Sequence, residues 1–321
     1  MKKILFATTA LVATAGAASA DVKLSGYGRF GLQYNEDAVN ETTITSRFRL
    51  QIDATAESDG GVVFGARVRM QQDNDDGIDE LDPGSQSSAP GGTFRSDRVG
   101  TGMNGVRFFV KAGGLEVGVG NIYGALEWMA GQYPIDLGLT GLGYEYTAYQ
   151  FGGAAYDSDE GGSAGFNGVE AIYTVGGLNI HASYDEFDFD GAVAGADGSR
   201  TALAVAYTFG DWTVAVAAQD SDNATDTEWT ATVGGSLGPV ALTLAYADNG
   251  DNGDYYVLAG LIDVGAATSI EAYVADGDTL DDTSYGLGAN YDLGGGTSLQ
   301  GGFASLGSGQ TIADLGVRFN F

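Results

Sequence analysis

The chain has 321 residues, of which 43 are acidic and 14 basic, and its formal net charge is −29. A protein this acidic lacks the basic surface that neutralises phosphates, which excludes nucleic acid as a partner. No cysteine is present, so neither disulfides nor thiolate metal sites hold the fold. The length and the even distribution of 53 glycines are compatible with one large β domain.

Residues 1–20 predict a secretory signal peptide. Two lysines precede an apolar run that begins at Ile4, and Ala-Ser-Ala at positions 18–20 provides a cleavage site. The apolar run is too short to cross a bilayer as a helix. We therefore expect an exported mature chain, residues 21–321, that forms a single domain.

Residues 25–34, SGYGRFGLQY, contain the spacing G-x-G-x-x-G of a dinucleotide-binding loop. Such a loop must follow a buried strand and begin a helix. Here the glycines lie inside an alternating segment, with Leu24, Phe30 and Leu32 on one face. We interpret them as strand glycines that allow curvature or the close packing of a neighbour.

Alternation of apolar and polar residues continues to the end of the chain, which is typical of strands with one apolar face. Seven short turns alternate with eight connections that are mostly longer and rich in Asp, Gly and Asn. The short turns lie near 59–61, 113–114, 176–177, 210–211, 238–239, 263–265 and 294–296. The other connections are 35–42, 73–103, 122–166, 188–199, 221–226, 248–253, 276–282 and 306–310. This order predicts sixteen strands joined as hairpins.

Two all-β architectures fit this pattern. A soluble sandwich buries the apolar face against a second sheet, whereas a membrane barrel turns that face to lipid and keeps a polar lumen. The even strand number, the export signal and the contrast between short turns and long loops favour the barrel. We therefore predict an all-β, 16-stranded antiparallel transmembrane β-barrel with short periplasmic turns and long outer loops.

Basic residues are concentrated in the first third of the mature chain. Strand alternation places six arginines of four adjacent strands on the lumen face: Arg29, Arg47, Arg49, Arg67, Arg69 and Arg107. Like charges at this density repel one another, so the lumen must be wet or must contain acids that face them. We predict a basic pore wall; the alternative is a set of solvated surface arginines.

The connection 122–166 is too long for an ordinary loop and contains no basic residue. A loop of this length in a compact fold is usually functional, and its apolar residues indicate packing inside the barrel. We predict that it narrows the pore and that Glu127, Asp136 and Glu145 face the basic wall. The alternative for each acid is a solvated loop carboxylate.

Two further features carry ionisable groups. Carboxylates at Asp73, Asp75, Asp76 and Asp79 do not fit an EF-hand, but they are compatible with loosely bound Ca²⁺ or with bridging to lipopolysaccharide through divalent ions. The single histidine, His181, faces the predicted lumen, where passive lining is favoured over catalysis.

Three segments at the ends of the chain carry a family resemblance: the leader MKKILFATTALVATAGAASA, the start DVKLSGYGRFGLQY and the end YGLGANYDLGGGTSLQGGFASLGSGQTIADLGVRFNF. They resemble the general-diffusion porins of alphaproteobacterial outer membranes. The resemblance extends to the hairpin spacing between them and weakens in the long loops. It implies a homotrimer of sixteen-stranded barrels, each with a water-filled pore that an inward-folded third loop narrows. It also implies that the barrel-assembly machinery reads the terminal Phe321.

Together these observations predict a passive outer-membrane channel for small hydrophilic solutes and ions, without covalent chemistry or a cofactor. Acids outnumber bases, mostly in loops, and fixed negative charge at a pore mouth enriches cations. We expect a weak cation preference that fades as salt rises. Two alternatives stay open: a substrate-selective channel of the same architecture, and a barrel enzyme that acts through His181.

Overall fold

The computed structural model describes residues 20–73, 102–103, 105–151, 155–158, 168–187 and 198–321. The predicted signal peptide lies outside the described residues except for Ala20, which begins the first strand. Among the described residues, no helix is long and apolar enough to cross a membrane. The described residues form one antiparallel sheet and a single short 3₁₀ turn, Gly250–Asn252.

Sixteen strands make up this sheet. The fourth has two segments, Gly102–Met103 and Arg107–Ala112, which both pair with the third strand. The strands are β1 (Ala20–Asn35), β2 (Thr42–Glu57), β3 (Val63–Asp73), β4 (the two segments above), β5 (Leu115–Gly120), β6 (Gly168–Val175), β7 (Leu178–Phe187), β8 (Gly198–Phe209), β9 (Trp212–Ser221), β10 (Glu228–Leu237), β11 (Val240–Asp248), β12 (Asp254–Asp263), β13 (Thr268–Gly277), β14 (Ser284–Gly294), β15 (Thr297–Ser305) and β16 (Thr311–Asn320).

The sheet closes on itself because β1 pairs with both β2 and β16. The closing register runs from Tyr27 opposite Asn320 to Asn35 opposite Ile312. The predicted sixteen-stranded antiparallel barrel is therefore confirmed. The short turns also lie where the sequence predicted them, because glycines there supply the positive φ angles that tight hairpins need.

The outer face of the barrel is apolar, as period-two alternation requires. Large apolar side chains on this face are exposed, among them Leu24, Phe30, Leu32, Phe48, Leu244, Leu258, Leu287 and Leu315. A continuous apolar surface of this kind is stable against lipid rather than against water. Aromatic rings accompany it near strand ends, where Trp229 and Tyr246 lie 5.1 Å apart between centroids.

The terminal strand meets the glycines of β1. A Cβ added to Gly28 would lie 2.4 Å from the Phe319 ring, and one added to Gly26 would lie 2.9 Å from the Phe321 ring. Phe321 also stacks on Phe48 at 5.7 Å between centroids, and its backbone exchanges two hydrogen bonds with Gly26. Gly26 and Gly28, the first two glycines of the G-x-G-x-x-G spacing, therefore leave space for the C-terminal aromatic rings.

Candidate functional site

The loop between β5 and β6 folds inward and lies along the inner wall. The structure describes its residues 121–151 and 155–158. Its buried apolar side chains, including Leu126, Leu137 and Leu142, pack on small wall side chains. The wall contributes Ala202, Ala204, Ala215, Ala217, Ala245, Ala247, Ala259, Ala275 and Ala304. The inward-folded third loop is therefore confirmed, and the apolar core of the described residues lies between the loop and this alanine-rich wall.

Glycines on the inner face receive two leucines of the loop. A Cβ at Gly31 or Gly316 would lie 2.8 or 2.6 Å from Leu139 Cδ2, and one at Gly286 would lie 2.5 Å from Leu137 Cδ2. Any larger residue at these wall positions would push the loop toward the pore axis. The third glycine of the opening sequence pattern thus serves loop packing.

Carboxylates of the wall hold the backbone of the loop. Asp314 on β16 accepts hydrogen bonds from Leu139 N at 2.9 Å, from Thr140 N at 2.8 Å and from Thr140 Oγ1 at 2.7 Å. Glu271 on β13 accepts from Gly138 N at 3.0 Å. These loop N–H groups lie outside helices and strands and have no regular backbone partner. The wall carboxylates accept their hydrogen bonds instead, which buried donors require.

Further bonds fix the loop to other parts of the wall. Ala125 N donates to Ser183 Oγ on β7 at 3.0 Å, and Thr232 Oγ1 on β10 donates to Ala130 O at 2.6 Å. Arg29 on β1 donates to Leu139 O at 3.0 Å. The loop is therefore attached around much of the circumference. Arg29 supports the loop through this bond and does not line the cavity described below.

A buried ionic cluster lies where the loop leaves β5. Arg107 donates to Glu170 Oε1 on β6 at 2.6 Å and to Glu116 Oε1 on β5 at 2.7 Å. The other Glu170 oxygen accepts from Tyr123 N at 3.0 Å and lies 2.8 Å from His181 Nε2. The Arg107 guanidinium lies 3.9 Å from the centroid of the Tyr123 ring, and the side chain is only 2% exposed. The structure thus places Arg107 beneath the loop and not on the open pore wall.

A cavity of about 1290 Å³ remains between the loop and the first strands. Its basic side is formed by Arg47, Arg49, Arg67 and Arg69 of β2 and β3. Its acidic lining groups are Glu127, Asp136 and Asp157 of the loop and Glu271 of the wall. Two loop acids predicted from the sequence therefore lie across the cavity from four of the six predicted arginines.

The strand register separates the arginines with polar side chains. Arg67 lies opposite Asp53, Arg69 opposite Gln51 and Arg49 opposite Gln71 across the β2–β3 pair. Arg49 Nε donates to its direct partner Gln71 Oε1 at 2.6 Å, and Arg67 donates diagonally to Gln51 Oε1 at 2.5 Å. Cross-strand partners therefore reduce the repulsion between like charges on this wall.

Arg47 binds Asp73 directly across the same strand pair. Asp73 is one of the residues predicted to hold Ca²⁺ loosely, and here it is engaged by the arginine and by Gln71 Nε2 at 3.0 Å. Asp75, Asp76 and Asp79 lie outside the described residues. Within the described ranges no group of three or more His, Asp or Glu side chains is arranged to hold a metal ion.

Glu127 is the acid most perturbed by its surroundings. It accepts hydrogen bonds from Ser158 N at 2.8 Å and from Ser158 Oγ at 2.7 Å. Burial raises the pKa of Glu127 to about 8; the nearby Asp157 adds to this, while the Ser158 bonds and the charge of Arg69 oppose it. This carboxyl therefore gains or loses its proton near neutral pH, inside the constriction.

The other two predicted loop acids point to different places. Asp136 accepts from Arg318 Nη1 of β16 at 3.0 Å at the edge of the cavity. Glu145 Oε2 accepts from Gly307 N at 2.9 Å, in the connection between β15 and β16. Glu145 thus fastens the loop to an outer connection of the barrel and lies away from the cavity lining.

Several lining residues were missed by the sequence reasoning. Asp157 lies in the same loop but was not singled out, and Glu271 is an isolated acid on a distant strand. The loop also presents three exposed aromatic rings to the cavity, Trp128, Tyr133 and Tyr144. Alternation places a residue on a face, but only the path of the loop decides which side chains meet across the lumen.

A closed sixteen-stranded barrel with an apolar exterior and a charged lumen that a loop narrows is the architecture of a membrane channel. Comparison with known families agrees. The chain belongs to the Gram-negative porin family, whose family model matches residues 7–310. Members of this family lie in the bacterial outer membrane.

Relatives and solved structures extend along most of the chain. A porin of Fuscovulum blasticum is 33% identical, and one of Rhodobacter capsulatus is 32% identical; each alignment covers 94% of this chain and 100% of the relative. A solved Rh. blastica porin variant with a lysine and an arginine changed to alanine matches with a TM-score of 0.76 at 29% identity. A variant that also replaces an aspartate and a glutamate matches with a TM-score of 0.75 at 30% identity. Both matches cover 94% of this chain and all of the other.

Proposed function

We propose that this outer-membrane porin lets small hydrophilic solutes and ions diffuse passively, with a weak preference for cations. The observation that carries the proposal is the placement of four arginines and four acids around one open cavity of about 1290 Å³. Opposed charges set up a transverse field that orients water and dipolar solutes. Conduction requires that each solute binds weakly enough to leave again. A wide polar cavity that is not shaped around one solute allows such weak binding.

The preference for cations comes from charge outside the constriction. Arginines and acids balance in number around the cavity, whereas the whole chain carries a formal charge of −29. Many acids lie in outer connections such as 248–253 and 276–282. Fixed charge at a mouth enriches counter-ions within about one Debye length, ~10 Å at 0.1 M salt. Cations therefore reach the constriction at higher local concentration than anions do.

Swelling of liposomes that contain the purified protein tests passive diffusion. Sugars of increasing size should enter at rates that fall smoothly with size and that rise linearly with concentration. Liposomes without protein give the background rate. Saturation of the rate by one class of solute would favour the substrate-selective channel instead.

The barrel enzyme is the other alternative, and its candidate residue is His181. This side chain is 3% exposed, and its Nε2 lies 2.8 Å from Glu170 Oε2 beneath the loop. A ring engaged in this way is not offered to solutes in the cavity, which supports a protein without catalysis. The test is His181→Ala: a hydrolytic activity of the native protein that this change abolishes would support the enzyme.

We further propose that the protein is a homotrimer that contacts lipopolysaccharide and is assembled through recognition of Phe321. The exposed ring of Phe321 at the barrel surface supports the last point. Loose Ca²⁺ binding by Asp73, Asp75, Asp76 and Asp79 stays a prediction. The mass of the native protein in mild detergent tests the trimer, and a monomer would contradict it.

A further inference from the structure

Three aromatic side chains of the loop are exposed to the water-filled cavity. Trp128, Tyr133 and Tyr144 are 49%, 47% and 46% exposed, and all three line the cavity. The leucine, isoleucine and methionine side chains of the described part of the loop are instead buried, for example Leu137 at 0%. Exposed ring surface costs free energy in water, and a channel that only passes ions has no need of it.

These rings are held in place by other aromatic residues. Trp128 packs on Tyr123 with 4.0 Å between ring centroids and 32° between planes. Tyr133 and Tyr149 share a hydrogen bond of 2.5 Å between their hydroxyls. Tyr144 lies 5.7 Å from Tyr146 between centroids. Rings fixed in this way lose little conformational entropy when a ligand stacks on them.

Guanidinium groups stand in the same cavity as these rings. Arg67 Cζ lies 6.0 Å from the Trp128 ring centroid, and Arg69 lines the cavity beside it. Arginine pairs well with a carboxylate, and it also stacks on aromatic faces. The loop acids would repel the carboxylate, so a bound anion has one favourable orientation, with its charge toward the arginine wall and its ring toward the loop.

We propose that the constriction contains a low-affinity site for planar aromatic monocarboxylates, which stack on Trp128 and direct the carboxylate toward Arg67 and Arg69. This inference rests on the proposed channel function and adds a class of solute that the channel retains briefly. The cavity of about 1290 Å³ is larger than a two-ring acid needs. Ions therefore pass beside the bound molecule, and binding shows as partial block of the current.

Single-channel recording with 2-naphthoate tests the site. We expect brief, concentration-dependent partial blocks of the K⁺ current through the native protein. The saturated analogue, decahydronaphthalene-2-carboxylate, has the same charge and similar size without a ring face. It should block about fivefold less strongly, the factor expected for one aromatic contact.

Four variants separate the roles of ring and charge. Trp128→Leu should reduce the naphthoate block about fivefold, while Trp128→Phe retains most of it. Arg69→Gln should weaken the block by both acids. Tyr173→Leu, which removes an exposed ring of β6 outside the cavity lining, is the matched control and should change nothing.

The open-channel conductance distinguishes a failure of the proposed aromatic site from a failure of the proposed channel function. Two results would contradict the aromatic site and leave the channel function intact. In the first, the Trp128→Leu channel conducts KCl normally and is blocked by 2-naphthoate as strongly as the native channel. In the second, the aromatic acid and its saturated analogue block the native channel equally. If the native protein forms no channel, the proposed function itself fails. A Trp128→Leu protein that does not fold leaves Trp128→Phe and Arg69→Gln to decide the matter.

Discussion

Arg107 and Arg69 are arginines of the same wall, on neighbouring strands, but their surroundings differ. The loop covers Arg107, which contacts two glutamates and the face of Tyr123. Arg69 lines the cavity, where solutes pass. A buried pair stabilises the fold only while both partners are present, whereas a charge in the lumen acts mainly on ions. The same residue type therefore serves structure at one position and conduction at the other.

Arg107→Gln should destabilise the barrel. Removing the guanidinium leaves Glu170 buried without its main charge partner, and breaking a buried pair in this way costs about 3 kcal/mol. Thermal unfolding in detergent should show a clear decrease in the midpoint temperature. Arg69→Gln serves as the matched control, with a changed ion preference and a nearly unchanged midpoint; equal midpoints for both variants would contradict this role of Arg107.

The proton on Glu127 should make ion preference depend on pH. Because the pKa of this carboxyl is raised to about 8, it is mainly neutral below that value and negative above it. Cation preference should therefore rise from about pH 6 to about pH 9, where ordinary carboxyl groups are already ionised. Reversal potentials at fixed salt measure this rise.

Glu127→Gln should reduce that pH dependence. Glu145→Gln is the matched control, since Glu145 faces Gly307 and not the cavity, and it should keep the native profile. A native profile that is flat across this range, or a Glu127→Gln profile that matches the native one, would contradict the assignment.

At the scale of elements, the loop between β5 and β6 and the wall that it covers form the apolar core of the described residues. Its leucines fill spaces that wall glycines and alanines leave, and wall carboxylates satisfy its N–H groups. Small inward residues on β8 to β15 are thus explained by the element that covers them. The strands β2 and β3, which the loop leaves open, carry the arginines instead. The wall is therefore divided into a covered apolar side and an open basic side.

Asp314→Ala should loosen this loop. It removes three hydrogen bonds to Leu139 and Thr140, and each bond to a charged group contributes about 1.5–3 kcal/mol. A less restrained loop should make the open-channel current noisier and its conductance more variable. Asp211→Ala, in the exposed β8–β9 turn, is the control. Equally quiet currents in both variants would show that Asp314 does not restrain the loop.

At the scale of the whole molecule, the strands and turns were predictable because their signals are local. Period-two alternation and glycine-rich turns are each read within about ten residues. The charge distribution was predictable in part, since alternation placed Arg47, Arg49, Arg67 and Arg69 on one face. Sequence alternation did not predict which of the inward-facing side chains the loop covers. Arg29 donates to Leu139 O, and Tyr123 covers Arg107, because the loop lies over both arginines.

The path of the loop depends on contacts between distant parts of the chain. Asp314 and Leu139 are separated by 175 residues, and Glu271 and Gly138 by 133. No local pattern specifies such pairs. The orientation of Glu145 follows from the same path, which brings it to Gly307 rather than to the arginines. Sequence therefore predicted which segment folds inward, but only in part which of its acids line the cavity: Glu127 and Asp136 do, and Glu145 does not.

We propose that acidic mouth charge outweighs the arginine wall in this passive pore. The reversal potential across a KCl gradient near 0.1 M, where screening is weak, tests it most directly. We predict a modest cation preference that fades toward about 1 M salt, where the Debye length falls to ~3 Å. Paired Arg49→Gln and Arg69→Gln changes should increase this preference, while Asp136→Asn should decrease it. Anion preference of the native protein near 0.1 M KCl would contradict the account.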